Sequence, residues 1–198
     1  MSETVNPRTK RVREALIAAT MSIVAERDVN DISLTEIAEA AQVSRPTVYK
    51  QFKDTYSLVA EATIQLMDEV FARIDEELAV ADHDSIGYLE RLIVLFVGSV
   101  YENRTFCRNA MHGPSAAAVN AYVVNMLDER MAHGLVGKRL ALAGDLAPDF
   151  RRALSAGVVW LLEEWLESDF AGENEPMTFA QRLTSVLVDF SMAGSLNK

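Results

Sequence analysis

Three observations predict an all-α chain. Apolar residues recur at steps of three and four along nearly the whole length, the spacing of one helix face. The 198 residues include only nine glycines and five prolines, so interruptions are few. No apolar–polar alternation runs long enough to suggest a sheet. The pattern resolves into about nine helices. They form a three-helix front unit, expected over 1–57, and a larger helical body, expected over 58–198.

The first helix is expected over 9–27, where Val12, Leu16, Ala19 and Ile23 share a face. Asp28-Val29-Asn30-Asp31 ends it. Ser33-Leu34-Thr35-Glu36 then reads as a capping box: the Ser33 hydroxyl accepts from the Glu36 N–H, and the Glu36 carboxylate reaches back. Ile37 with Ala38, Ala40 and Ala41 makes a short helix of small packing residues. Gln42-Val43 is a tight joint. Ser44 is placed to cap a third helix, and Pro46 suits its first turn, where the N–H lacks an intrahelical partner. Asp54 caps a long fourth helix, about 55–80, with Leu58, Ala62, Leu66, Val70 and Ile74 on a wide apolar face. Five more helices are expected at 85–102, 104–112, 115–142, 148–168 and 176–193. Gly134 and Gly137 invite a kink or split in the longest.

Charge is unevenly placed. Residues 1–60 hold eight Lys/Arg and eight Asp/Glu, whereas 61–198 hold 11 and 21, so the net charge of −10 resides in the second part. A polyanion meets a local surface rather than a net charge, so the acidic total does not exclude nucleic acid. The one cysteine, Cys107, excludes an internal disulfide framework and fits a reducing cytoplasm. The N-terminal MSETVNPRTKR is polar, unlike a signal peptide, and LIVLFV at 92–97 is too short to span a bilayer. No membrane partner is expected.

The stretch VSRPTVYKQF, 43–52, is cationic and hydroxylic and contains no acid. Two short helices joined by a tight turn, the second carrying such a surface, make a helix-turn-helix. Its second helix enters the DNA major groove by its N-terminal end. Val43, Val48 and Phe52 then face inward. Arg45 is placed for the O6/N7 edge of guanine, and Thr47 for a thymine methyl, a base or a phosphate. Tyr49, Lys50 and Lys53 suit phosphates, and Gln51 suits adenine if it faces the groove. Arg8, Lys10, Arg11 and Arg13 add a basic arm. The candidate DNA-facing set is Ser33, Thr35, Ser44, Arg45, Pro46, Thr47, Tyr49, Lys50, Gln51, Lys53 and Thr55.

The segment ISLTEIAEAAQVSRPTVYKQFKDTYSLV, 32–59, with REALIAATMSIVAE before it, resembles the TetR-type transcriptional regulators. The match runs through Ile37-Ala38, Val43-Ser44, Thr47, Val48-Tyr49, Phe52 and Leu58, and covers about residues 10–60. The remainder is similar in layout only. The resemblance implies a dimeric, all-α regulator with an N-terminal DNA-reading unit and a C-terminal ligand-binding body. It also implies DNA contacts at Arg45, Thr47, Tyr49 and Lys50. Three positions depart from the family pattern: Asp28 and Gln42 stand where glycine is usual, and Thr55 where lysine is frequent.

In the body, Leu154, Val158, Leu161 and Trp165 form one stripe, and Phe179, Leu183, Val186, Leu187 and Phe190 a second. Together they suggest a four-helix seam between two copies, a homodimer, against the alternative of a purely internal core. A ligand pocket is expected among Met67, Phe71, Leu89, Ile93, Phe96, Phe106, Met111, Tyr122, Asn125, Met126 and Trp160. Residues of these types at helical spacing are also ordinary core. Tyr88, Tyr101, His112 and Asn120 add polar handles. Such a pocket suits a small hydrophobic or aromatic molecule.

Catalysis finds little support. His83, His112 and His133 lie far apart, and no metal-ligand spacing or cofactor loop occurs. Cys107 and His112, five apart, diverge by about 140° on a helix. No catalytic residue, metal or cofactor is expected. The expected function is a ligand-responsive repressor that binds a palindromic operator in double-stranded DNA as a dimer. The alternative is a small-molecule-binding or protein-interaction module that does not read DNA specifically.

Overall fold

The computed structural model describes residues 7–193. The polar stretch 1–6, part of the N-terminal reading above, lies outside the described residues. Among the described residues there is no strand. Ten α-helices follow in order: α1 Pro7–Val24, α2 Leu34–Ala40, α3 Arg45–Gln51, α4 Thr55–Glu77, α5 Ile86–Glu102, α6 Arg104–Ala110, α7 Ala116–Ala132, α8 Leu135–Leu140, α9 Ala147–Leu166 and α10 Pro176–Ala193. The tenth helix arises because the segment expected over 115–142 is split at Gly134, whose extended backbone (φ −114°, ψ −166°) separates α7 from α8. Gly137 then has no room for a side chain: a Cβ there would collide with the backbone carbonyls of Met131 and Ala132. No helix among the described residues is long and apolar enough to cross a membrane.

The described residues divide into two compact units, one comprising 7–67 with Thr105–Val119, the other Asp68–Arg104 with 120–193. The continuous helix α4 contributes to both.

The first unit closes on Leu16, Ile17, Ile37, Ala38, Val48, Phe52, Leu58 and Val59, all buried. The Asn109 amide on α6 donates to the Val24 carbonyl at 2.7 Å, holding the end of α1. Caps set the helix entries. Ser33 Oγ accepts from Glu36 N–H at 3.2 Å, as the capping pattern requires, but the Glu36 carboxylate pairs with Arg27 instead of reaching back. The Ser44 hydroxyl bonds to the Thr47 hydroxyl at 2.7 Å and makes no cap. Asp54 accepts from Ser57 N–H at 2.8 Å at the start of α4, and that bond holds its carboxyl below the usual range.

In the second unit α10 packs chiefly on α5, and α8 on both α9 and α10. Trp165 stacks on Phe179 with centroids 4.6 Å apart, and its indole N–H donates to the Asn174 carbonyl at 2.8 Å. The two stripes expected to form an intermolecular seam are largely consumed here. Leu154, Val158, Trp165, Phe179, Leu183 and Leu187 are all buried within the chain itself. Large apolar side chains that stay on the surface of α9 and α10 include Trp160 (56% exposed), Val186 (38%) and Phe190 (37%), with Met177 and Met192 toward the two ends of α10. Leu161 is half-buried beside them.

Candidate functional site

The turn between α2 and α3 aims the recognition helix. Its geometry is a Schellman ending: Val43 N–H donates to the Ala38 carbonyl at 2.8 Å and Gln42 N–H to the Glu39 carbonyl at 3.1 Å. Gln42 therefore sits at φ 54°, in the left-handed region. Val48 then points into the core with no exposure, and the next side chains fall outward. Ser44, Arg45, Pro46, Tyr49, Lys50 and Lys53 are exposed, and Thr47 is half-buried beneath them. Tyr49 is 56% exposed, and its phenol lies 3.4 Å from the Thr35 hydroxyl at the start of α2. Arg45 extends to the Glu39 carboxylate at 2.6 Å.

Four of the residues read from the sequence for DNA take other positions. Gln51 is half-buried, with its side-chain oxygen buried and without a protein partner. Thr55 is buried, its hydroxyl donating to the Ile32 carbonyl at 3.2 Å. Ser33 is exposed, but its oxygen is engaged in capping. In the basic arm, Arg13 is held by Glu61 and lies over the Phe52 ring, 5.7 Å from its centroid.

The second unit contains a cavity of about 740 Å³. Of the residues proposed for a pocket, Phe71, Leu89, Ile93, Phe96, Tyr122, Asn125 and Met126 line it together. Met67, Phe106 and Met111 do not, and belong to the first unit. Trp160 lies on the surface of α9. Tyr88 also lines the cavity, whereas Tyr101, His112 and Asn120 do not. The buried part of the wall is apolar: Phe71 stacks on Phe96 at 5.3 Å, with Ile93, Val136, Leu183 and Leu187 around them.

A charged part of the wall had no clear sequence signal. Arg130 forms a two-point bond to Asp75, both contacts 2.9 Å, and its guanidinium lies 3.9 Å from the Phe71 ring centroid. The Arg130 bond holds the Asp75 carboxyl below its usual range. His83 stacks on Tyr88 at 4.4 Å. The Tyr122 phenol donates to Asp68 at 2.8 Å; burial first, then that bond and nearby negative charge, push its pKa up to about 12. Asp75 and Arg130 are 55 positions apart, so no local pattern could have paired them. Cys107 is buried in the first unit, its thiol pushed up to about 12 by desolvation, and is a poor nucleophile there.

Residues 16–62, which include the whole helix-turn-helix, match the family described as bacterial regulatory proteins, tetR family. The matched segment, the N-terminal quarter of the chain, is of the TetR type. The chain is 27% identical to the HTH-type transcriptional regulator BetI of Cronobacter sakazakii (strain ATCC BAA-894), over 92% of both chains. It is 30% identical over 82 residues to the uncharacterized HTH-type transcriptional regulator YxbF of Bacillus subtilis (strain 168). That stretch is 41% of this chain but only 18% of the relative's length. Its fold is similar to that of the fatty acid degradation regulator FadR from Bacillus halodurans (TM-score 0.65, 14% identity, 94% of this chain and 97% of that one). It is also similar to NalD, the secondary repressor of the MexAB-OprM multidrug efflux pump in Pseudomonas aeruginosa (TM-score 0.60, 22% identity, 92% and 97%).

Against the TetR pattern, the two missing glycines differ in consequence. Asp28 has extended backbone (φ −61°, ψ 138°) and accepts from Asn30 N–H at 2.8 Å, so it needs no glycine. Gln42 occupies the left-handed C′ position, where a side chain costs energy.

Proposed function

We propose that this protein is a TetR-family regulator and a ligand-responsive repressor. In this reading it binds a palindromic operator as a homodimer in the cytoplasm and is released when a small hydrophobic molecule enters the cavity of its second unit. It acts without catalysis. The observation that carries the reading is the exposed face of α3: Arg45, Tyr49 and Lys50 point outward around a fully buried Val48. A buried anchor with cations outside is what a recognition helix needs to lie in a major groove. Residues 1–57 then read DNA, and 58–198 bind ligand and dimerise. Supporting the dimer is the apolar surface left on α9 and α10: Trp160, Val186 and Phe190, exposed next to Ala153, Ala156 and Gly157. Small residues beside large ones permit close helix approach.

The continuous helix α4 carries Thr55 at one end and the cavity residue Phe71 near the other. A ligand that favours a DNA-incompetent arrangement needs a coupling of about 1–3 kcal/mol to weaken operator binding about 5- to 150-fold.

The test is DNA binding by Arg45→Ala and Lys50→Ala against the DNA flanking the protein's own gene. Arg45→Ala should cost about 1–3 kcal/mol on the specific site and relax base preference. Lys50→Ala should weaken all DNA alike and reduce the salt slope by about one. Wild-type protein that binds the flanking DNA no better than random DNA would overturn the repressor reading and favour the ligand-binding module.

A further inference from the structure

The cavity lining carries three carboxylates, Asp68, Asp75 and Glu129, against one guanidinium, Arg130. Arg130 is already committed: Asp75 takes two of its N–H groups, and one face covers Phe71. An entering anion would have to break that pair and would find no second Lys or Arg in the wall. Asp68 and Glu129 remain as negative charge over an apolar, aromatic interior. Two histidines, His83 and His133, also line the cavity, and Arg152 reaches the Asn125 side-chain oxygen at 3.5 Å without itself lining it. Burial first, and then the hydrogen bond to Asp68 and the charges of Asp68 and Glu129, keep the Tyr122 phenol protonated. The wall also shows how it holds a cation: Arg130 sits between a carboxylate and an aromatic face, the environment that attracts a desolvated positive group.

We infer that the cavity selects a bulky hydrophobic cation, such as an aromatic or heavily alkylated ammonium compound, over neutral or anionic molecules of the same size. This rests on the reading of the cavity as the ligand site. Apolar contacts with the Phe71–Phe96 wall provide most of the affinity, while Asp68 and Glu129 set the sign of charge. Those two acids are exposed, so the discrimination depends on salt.

Tetraphenylphosphonium and tetraphenylborate are nearly matched in shape and hydrophobicity and opposite in charge. Titration of each into the full chain by calorimetry measures the sign preference directly. The binding counted is that weakened by Met126→Trp, which places an indole in the cavity wall, in a variant whose unfolding midpoint shows it folded. Tetraphenylphosphonium should bind about tenfold tighter or more in low salt. Asp68→Asn with Glu129→Gln should reduce that ratio to below about threefold, as should ~1 M salt. A ratio under about tenfold in the unaltered protein, or one that survives loss of both acids, overturns the inference while leaving the cavity a ligand site. Absence of cavity binding by either ion overturns both.

Discussion

Arg45 is drawn toward Glu39 in the absence of DNA, and this makes Glu39→Gln informative. Both side chains are well exposed, 63% for Arg45 and 64% for Glu39, so their 2.6 Å pair contributes about 0.2–1 kcal/mol. When Arg45 turns to a guanine edge it gives up that pair, and Glu39 is left as a carboxylate facing a polyanion. Removing the charge eliminates both costs. Operator affinity should therefore rise by about two- to fivefold at low salt, and the gain should fade as salt screens the surface. Fluorescence anisotropy with an operator obtained by selection from random DNA provides the measurement. A cycle with Arg45→Ala isolates the pair: on that background Glu39→Gln should give a smaller gain, because only the repulsion from phosphate is left to relieve. If Glu39→Gln instead weakens operator binding and broadens base preference, the carboxylate holds Arg45 in its reading pose and the reasoning fails. An equal gain on both backgrounds would show that the pair itself contributes nothing.

Gln42→Gly should stabilise the protein by about 0.5–1 kcal/mol, the left-handed strain relieved less the extra freedom of glycine in the unfolded chain; thermal unfolding should show a rise of about 1–4 °C with operator affinity unchanged. Val186→Glu places a charge in the surface proposed to join two copies, so light scattering should report monomers with little operator affinity, and Leu161→Glu should act likewise; a dimer that survives both places the interface elsewhere. Tyr122 has a folded-state pKa raised to about 12, so its proton stabilises the fold below the unfolded value near 10, and that stability is lost as pH climbs from about 10 to 12. Tyr88 and Cys107 are raised too and add to the same alkaline loss, so the difference between wild type and Tyr122→Phe across this range isolates the phenol. If the two curves run parallel, Tyr122 is not held as described.

The helix-turn-helix was legible because its signals are local. Ser33 and Glu36 are three apart, Val48 and Phe52 four apart, and the joint at Gln42 lies between two short helices. Capping, turn geometry and inward spacing all act within a few residues, so one stretch of chain determines them. The same holds for the break at Gly134 and the caps of α4. Other outcomes needed the tertiary structure. Thr55 looks like a surface hydroxyl at a helix start, yet the backbone of Ile32, 23 residues earlier, claims it. Leu154 and Val158 read as surplus apolar surface only until packing within the second unit covers them and leaves Trp160 outside. The cavity shows the limit most clearly. Phe71, Ile93, Phe96 and Tyr122 could be named because large apolar side chains must lie somewhere inside. Their assembly around one space, with Asp75, Arg130 and Asp68 in its wall, depends on contacts more than 50 residues apart. A helical period tells which face of each helix is apolar. Which faces meet, and which charges they enclose, is decided only when the helices pack.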